Sequence, residues 1–217
     1  VEKLQQPVKR IVILGSGSSY IASMAAADFY GKMLGLEAAA VVPTRLDGLL
    51  RLLNPEETLL IAVSQSGKST STIDAVKKWK ARGFRILTVT ADEQSPVAKE
   101  GDVHQFIACG EETVGPKTKG MTSTVLTLYF LGLALGRIWN LGDQEASERF
   151  LEELNQAIDA APSNIEKSID FCRNQADLLT VIPHVTILSE DAGYYAAQEG
   201  ALKPPDTLYT PSIVYEV

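Results

Sequence analysis

From Leu59 to Thr70 the chain reads Leu-Leu-Ile-Ala-Val-Ser-Gln-Ser-Gly-Lys-Ser-Thr, an apolar run that delivers small polar residues onto the start of a helical pattern. The hydroxyls of Ser64, Ser66, Ser69 and Thr70 are donors at short range. The first amides of the helix add N–H groups and the positive end of its dipole. Small side chains leave room for a phosphate to lie against the backbone. An ordinary N-cap ahead of a surface helix needs one such hydroxyl. Four hydroxyls together with Gln65 and Gly67 point to phosphate binding.

A second loop has similar chemistry. Gly15-Ser16-Gly17-Ser18-Ser19-Tyr20 opens like a dinucleotide fingerprint but carries Tyr20 where the third glycine is required. It also lacks the lysine spacing of a P-loop. Two hydroxyl-rich loops side by side fit one small phosphorylated ligand better than a dinucleotide. A mononucleotide-binding domain fits the same pattern but offers no base-recognition feature.

Short apolar runs alternating with helical patterns position these loops. Strands are expected at Arg10–Leu14, Glu37–Val42, Thr58–Val63, Arg85–Thr90 and Val103–Ile107, apolar on both parities as in a sheet covered on both faces. Helices are expected near Ser19–Leu34, Arg45–Leu53, Ser71–Arg82 and Lys119–Asn140, with a short one at Pro96–Lys99. Gly35 and Gly83 stand where helix C-caps need positive φ. The fold class is therefore α/β, a doubly wound, mainly parallel five-stranded sheet, which binds ligands beyond the carboxyl ends of its strands.

This first domain is expected to span residues 1–142. Asp143–Ala161 and Ser163–Leu179 read as two charged amphipathic helices separated by Pro162, a helical connector over 143–180. Val185–Ser189 restarts a strand and Asp191–Lys203 a helix, so 181–217 reads as the opening of a second α/β domain.

Composition narrows the function classes. The chain has 217 residues, 45% of them hydrophobic, enough to bury a sizeable core. Its net charge of −7 disfavours nucleic acid and anionic membranes as partners. A phosphate must then be held by local dipoles and a few nearby cations. Two cysteines, Cys109 and Cys172, fit a reducing compartment rather than a disulfide scaffold. With no basic-then-apolar leader visible, a cytoplasmic protein is expected. The uncharged run Gly120–Gly136 is short for a membrane span and reads as a fully buried helix. No His, Cys and Asp cluster has metal-ligand spacing, so neither metal nor cofactor is expected. His104 and His184 read as structural residues in strands.

Gly15–Tyr20, Ser64–Thr70 and Glu112–Lys119 together resemble, in order and spacing, the motifs of the SIS (sugar isomerase) domain. Glu199-Gly200-Ala201-Leu202-Lys203 resembles the helix that opens the second domain in two-SIS proteins. These include the isomerase half of glutamine–fructose-6-phosphate aminotransferase and the fructosamine-type 6-phosphate deglycases. The resemblance covers nearly the whole chain and implies a flavodoxin-like fold. It places the phosphate on Ser19, Ser64, Gln65, Ser66 and Ser69, with Ser18 beside them. Gly17, Gly67, Glu112, Thr118 and Lys119 are further pocket candidates, Lys119 through substrate oxygens. Lys68 departs from the acidic residue often found at its position, and Lys117 reads as surface.

Ketose–aldose interconversion, or cleavage of a C–N bond at the same centre, needs a base beside C1 and C2 and a stabilised enediol oxyanion. The resemblance implies Glu199 at the substrate and a base seven residues later. That position holds Asp206, one methylene shorter than the usual Glu. Lys203 completes the catalytic set, although Pro204 and Pro205 are expected to push it out of helical geometry. A surface pair of Glu199 and Lys203 is the plain alternative. The ring-opening histidine of the family belongs to a segment beyond Val217. No glutaminase domain precedes the motifs, which favours deglycation over glutamine-dependent transfer. The expected ligand is a ketose- or fructosamine-type 6-phosphate, and a homodimer is expected, with Met121–Ile138 as packing surface. The rival reading is a non-catalytic phosphosugar sensor, although no basic helix-turn-helix is present.

Overall fold

The computed structural model describes residues 4–217, so the first three residues of the expected first domain lie outside the described residues. The chain forms two compact units, residues 1–142 and 143–217. The first contains β1 (Arg10–Leu14), α1 (Ser18–Leu34), β2 (Glu37–Val41), α2 (Leu46–Leu49), β3 (Thr58–Val63), α3 (Thr70–Lys80), β4 (Arg85–Thr90), α4 (Pro96–Glu100), β5 (Val103–Phe106) and α5 (Lys119–Trp139). Its five strands are all parallel in the order β2-β1-β3-β4-β5. That is the doubly wound order read from the apolar runs, with its switch point between β1 and β3.

Burial explains why those runs become strands. All six residues of β3 are buried, whereas the edge strand β2 alternates. Val12, Leu14, Leu60, Ala62 and Ile86 pack on one face against Ala75, Val76 and Trp79 of α3 and against Leu46. The opposite face carries α1, which contacts β1, β2 and β3 and packs along α5. Gly132 of α5 allows this close approach, since a methyl there would meet the Tyr30 ring at 2.3 Å. The buried Tyr30 hydroxyl donates to the Leu128 carbonyl at 2.8 Å, and burial raises its pKa.

Two expectations for this unit need correction. Arg45–Leu53 is not one helix: a 3₁₀ turn at Pro43–Arg45 leads into the four-residue α2, with Gly48 inside it lowering helix propensity. The Gly120–Gly136 run is not fully buried. Among the described residues α5 is the one helix long and apolar enough to cross a membrane; it packs along α1 but leaves Phe130 and Ile138 exposed.

The second unit contains α6 (Gln144–Asn174), α7 (Ala176–Leu179), β6 (Val185–Ser189), α8 (Gly193–Leu208) and β7 (Ser212–Glu216). Pro162 does not divide α6, which runs 31 residues through it. The proline removes one i→i−4 bond, to the Ile158 carbonyl, and the other turns hold the helix. α8 likewise continues past Lys203 through Pro204 and Pro205 to Leu208. The bonds lost are those to the Gly200 and Ala201 carbonyls. The helix then ends in a cap in which the Tyr209 and Thr210 amides donate to the Pro204 carbonyl. β7 was not expected; it pairs parallel with β6 and closes a β-α-β unit around α8.

Candidate functional site

A half-open pocket of about 220 Å³ lies at the carboxyl ends of the first unit's strands, lined by residues of the loops after β1 and β3 and by the start of α5. β1 ends at Leu14, and the chain turns at once into α1. A Cβ on Gly15 would stand 2.5 Å from the Ser19 carbonyl, so only glycine lets the turn close this tightly. Gly17 is the N-cap of α1 at positive φ and makes no side-chain cap. Ser18 and Ser19, in the first turn, line the pocket.

β3 ends at Val63. The Ser64 amide still bonds the Val89 carbonyl of β4, which ties the loop to the sheet. The Gly67 amide donates back to the Ser64 carbonyl, and the turn holds Gly67 at φ 64°. A side chain there would collide with Ser95, whose Oγ lies 2.0 Å from the Cβ position. The turn directs Ser64, Gln65, Ser66 and Ser69 to the pocket. Ser69 is also the N-cap of α3, accepting from the Thr72 amide at 3.4 Å and the Thr72 hydroxyl at 2.9 Å. The Ser66 hydroxyl accepts from the Lys68 amide at 3.4 Å. Gln65 Nε2 donates to Cys109 Sγ at 3.6 Å. Cys109 and Cys172 are both free thiols, the first buried and the second exposed.

All six expected phosphate contacts therefore line one pocket. The other candidates do not line it. Gly17 and Gly67 shape the two turns. Glu112 serves α5: its carboxylate accepts from the amides of Thr118, Lys119 and Gly120 at 2.8, 2.9 and 3.1 Å and from the Thr118 hydroxyl at 3.3 Å. These amide bonds, led by that of Thr118, hold the carboxyl below its ordinary value. Thr118 is the N-cap of α5. Lys119 points its ammonium at the Glu111 carbonyl, 2.6 Å away, rather than toward the pocket.

Lys117 corrects the surface reading, because it lines the pocket. Ser16, Gly120, Met121 and Thr124 also line it and escaped sequence reasoning. Ser16 sits inside a loop already singled out. Gly120 and Thr124 are one helical turn apart, so a start for α5 at the strand ends could have revealed them. Gly120 has its own reason to be small: a Cβ there would lie 2.6 Å from Gln65 Nε2 and 2.8 Å from Glu112 Oε2. The pocket thus gathers hydroxyls, one amide and one ammonium beside the first turns of α1, α3 and α5, an arrangement suited to a small oxyanion.

In the second unit Glu199 and Lys203 form an i,i+4 ion pair on α8, with 12% of the Glu199 and 23% of the Lys203 side chain accessible. Because α8 stays helical, Asp206 follows Glu199 by seven residues, two turns further along the same side, and is exposed. His104 lies in β5 with Nε2 2.9 Å from the Thr90 hydroxyl. His184 immediately precedes β6. Among the described residues no group of three His, Cys, Asp or Glu side chains could hold a metal ion.

Residues 5–135 match the SIS domain model. The isomerizing glutamine–fructose-6-phosphate aminotransferase of Pyrobaculum aerophilum is 31% identical over 207 residues, covering 95% of this chain and 33% of that protein. Its counterpart from Aeropyrum pernix is 29% identical over 214 residues, with the same two coverages. This chain thus spans about a third of the length of the curated relatives it matches. Among solved structures, a candidate phosphosugar isomerase from Clostridium difficile 630 superposes with a TM-score of 0.91 at 26% identity, over 99% of this chain and 61% of that one. The C-terminal domain of glucosamine-fructose-6-phosphate aminotransferase from Francisella tularensis shares the fold, with a TM-score of 0.88 at 21% identity over 99% and 60%. On the domain match, the parallel sheet order and the serine-lined loops at its switch point, the chain belongs to the SIS-domain family.

Proposed function

We propose that the first unit binds the phosphate of a ketose- or fructosamine-type 6-phosphate and that the protein acts on this sugar through an enediol. The reading rests on one observation: Ser18, Ser19, Ser64, Gln65, Ser66 and Ser69 line a single pocket beside helix N-termini. Hydroxyl donors and oriented amides suit a phosphate ester held without a strongly basic field. The pocket's volume, about 220 Å³, suits a phosphate with part of a sugar rather than a dinucleotide. Relatives named as isomerizing aminotransferases support the substrate class.

Catalysis falls to α8. Glu199, Lys203 and Asp206 recur at i, i+4 and i+7, which supports a common catalytic side of the helix. In this reading Asp206 takes the proton from C1 or C2, Lys203 stabilises the developing oxyanion, and Glu199 orients the open-chain sugar. Moving the proton between the two carbons isomerises the sugar; with an amine on C1 the same shift gives an imine, and addition of water to that imine breaks the C–N bond, releasing the amine and the aldose phosphate. Two copies would associate through the outward side of α5, where Phe130 and Ile138 are exposed.

The test is incubation of the full polypeptide with fructosamine, glucosamine and ketose 6-phosphates, with products followed by mass spectrometry and binding by calorimetry. Turnover of at least one is expected. Binding of several with turnover of none would replace the enzyme with a phosphosugar sensor, and binding of none would end both readings.

A further inference from the structure

Three lysines lie in or beside the pocket loops, and their ammonium groups go to different places. Lys68 is exposed and does not line the pocket. Lys119 is turned onto the Glu111 carbonyl. Lys117 alone among the described lysines and arginines lines the pocket. Its ammonium donates to the Glu112 backbone carbonyl at 3.0 Å. An ammonium has three donors, so this contact fixes the side chain while leaving two for a ligand.

The neighbouring charges are arranged to leave that cation available. Glu112, a carboxylate on the same loop, directs its oxygens at the first amides of α5 and makes no ion pair with Lys117 among the described residues. It lies close enough for the Lys117 charge to help hold it ionised, so it stays charged to a lower pH than an ordinary carboxyl. Glu111 is exposed and offers its carbonyl to Lys119. The remaining polar contacts in the pocket are neutral hydroxyls and one amide. In a chain of net charge −7, this leaves one ammonium as the charged group that an incoming oxyanion meets.

We propose that Lys117 reads the charge of the ligand, making the pocket select a dianionic phosphate monoester over a monoanionic ester or a neutral sugar. This inference rests on the phosphosugar reading above and deepens it. The serines set where the phosphate sits, and Lys117 sets which ionisation state is held. Phosphate monoesters gain their second negative charge near pH 6, so the preference has a pH signature. None of the pocket-lining side chains is a histidine, and the flanking carboxylates Glu111 and Glu112 belong to the loop rather than to the lining.

Calorimetric titration of the wild type, Lys117→Gln, Lys117→Arg and Lys68→Gln with fructose 6-phosphate at pH 5.0 and 7.5 tests the proposal. Circular dichroism confirms that each variant is folded. Wild-type affinity should fall at least about fivefold at pH 5.0, as the ester loses its second charge. Lys117→Gln should bind about tenfold more weakly at pH 7.5 and lose most of the pH dependence. Lys117→Arg should recover most of both, and Lys68→Gln should stay within about twofold of wild type. Equal weakening at both pH values without rescue by arginine would reduce Lys117 to a loop tie and overturn the proposal. So would wild-type behaviour of Lys117→Gln. Failure of the wild type itself to bind any phosphosugar would instead sink the functional reading beneath it.

Discussion

Two glutamates, one in each unit, hold the same functional group in contrasting surroundings. Glu112 faces fixed partners, three backbone amides and a hydroxyl at the start of α5. Such donors cannot follow a proton, and they hold the carboxyl ionised. Glu199 sits mostly covered on α8 against the ammonium of Lys203, a partner on a flexible stem. A carboxylate held by backbone is part of the scaffold, whereas one paired with a movable side chain is, under the proposed function, free to contact a substrate. Both glutamates lie in segments that carry the sequence resemblance; the bonding separates them.

The sharpest way to break this contrast is Glu199→Gln. Under the proposed function it should lower kcat at least about 100-fold, with phosphosugar affinity almost unchanged, since it removes the carboxylate that orients the reacting carbons and leaves the phosphate pocket intact. Unimpaired turnover would place Glu199 with the scaffold. Glu112→Gln should act on folding instead, costing about 1 kcal/mol, the usual worth of a helix N-terminal cap. The sign with pH follows from its carboxyl being held below the ordinary value of 4.5. The stabilisation is present above that value and is lost as pH falls through the folded one. Urea midpoints of wild type and variant should therefore converge in acid, and a constant gap would contradict the bonding.

Ser69→Ala and Ser66→Ala sharpen the comparison from the pocket side. Each should weaken phosphosugar binding by about 1 kcal/mol, near fivefold, and leave unphosphorylated analogues indifferent. The smallest effect belongs to His104. Burial lowers its pKa from the ordinary 6.5, opposed by Glu93 and Asp92. The unfolded chain therefore takes up a proton before the folded one does, and stability falls as pH drops from 6.5 through the folded value. His104→Asn should flatten that part of the stability profile by less than about 1 kcal/mol; an unchanged slope would assign it to other groups.

Much of the first unit was legible because β1 and β3 are nearly continuous apolar runs and β4 alternates apolar residues with threonines along a buried strand, and burial on both faces leaves them no other use. The two serine loops were legible because they follow those strands directly. Local rules failed where longer-range structure outweighed them. Pro162, Pro204 and Pro205 each remove one bond from a helix whose remaining turns persist. β7 carries the strand-forming run Ile213-Val214-Tyr215, too short to stand out alone, and it is fixed as a strand by pairing with β6. Lys117 lies in a polar loop with no periodicity, so nothing in its neighbours' spacing tells inward from outward. Its direction is set by the Glu112 carbonyl, a contact visible only in three dimensions.

The hydrogen bond from Tyr30 to the Leu128 carbonyl, with Gly132 yielding to the aromatic ring, fastens α1 to α5 deep in the first unit. Both helices begin at the pocket, so two of its walls are rigidly spaced before any guest arrives. Little ordering entropy remains to oppose capture, and free and occupied forms of this unit should superimpose closely.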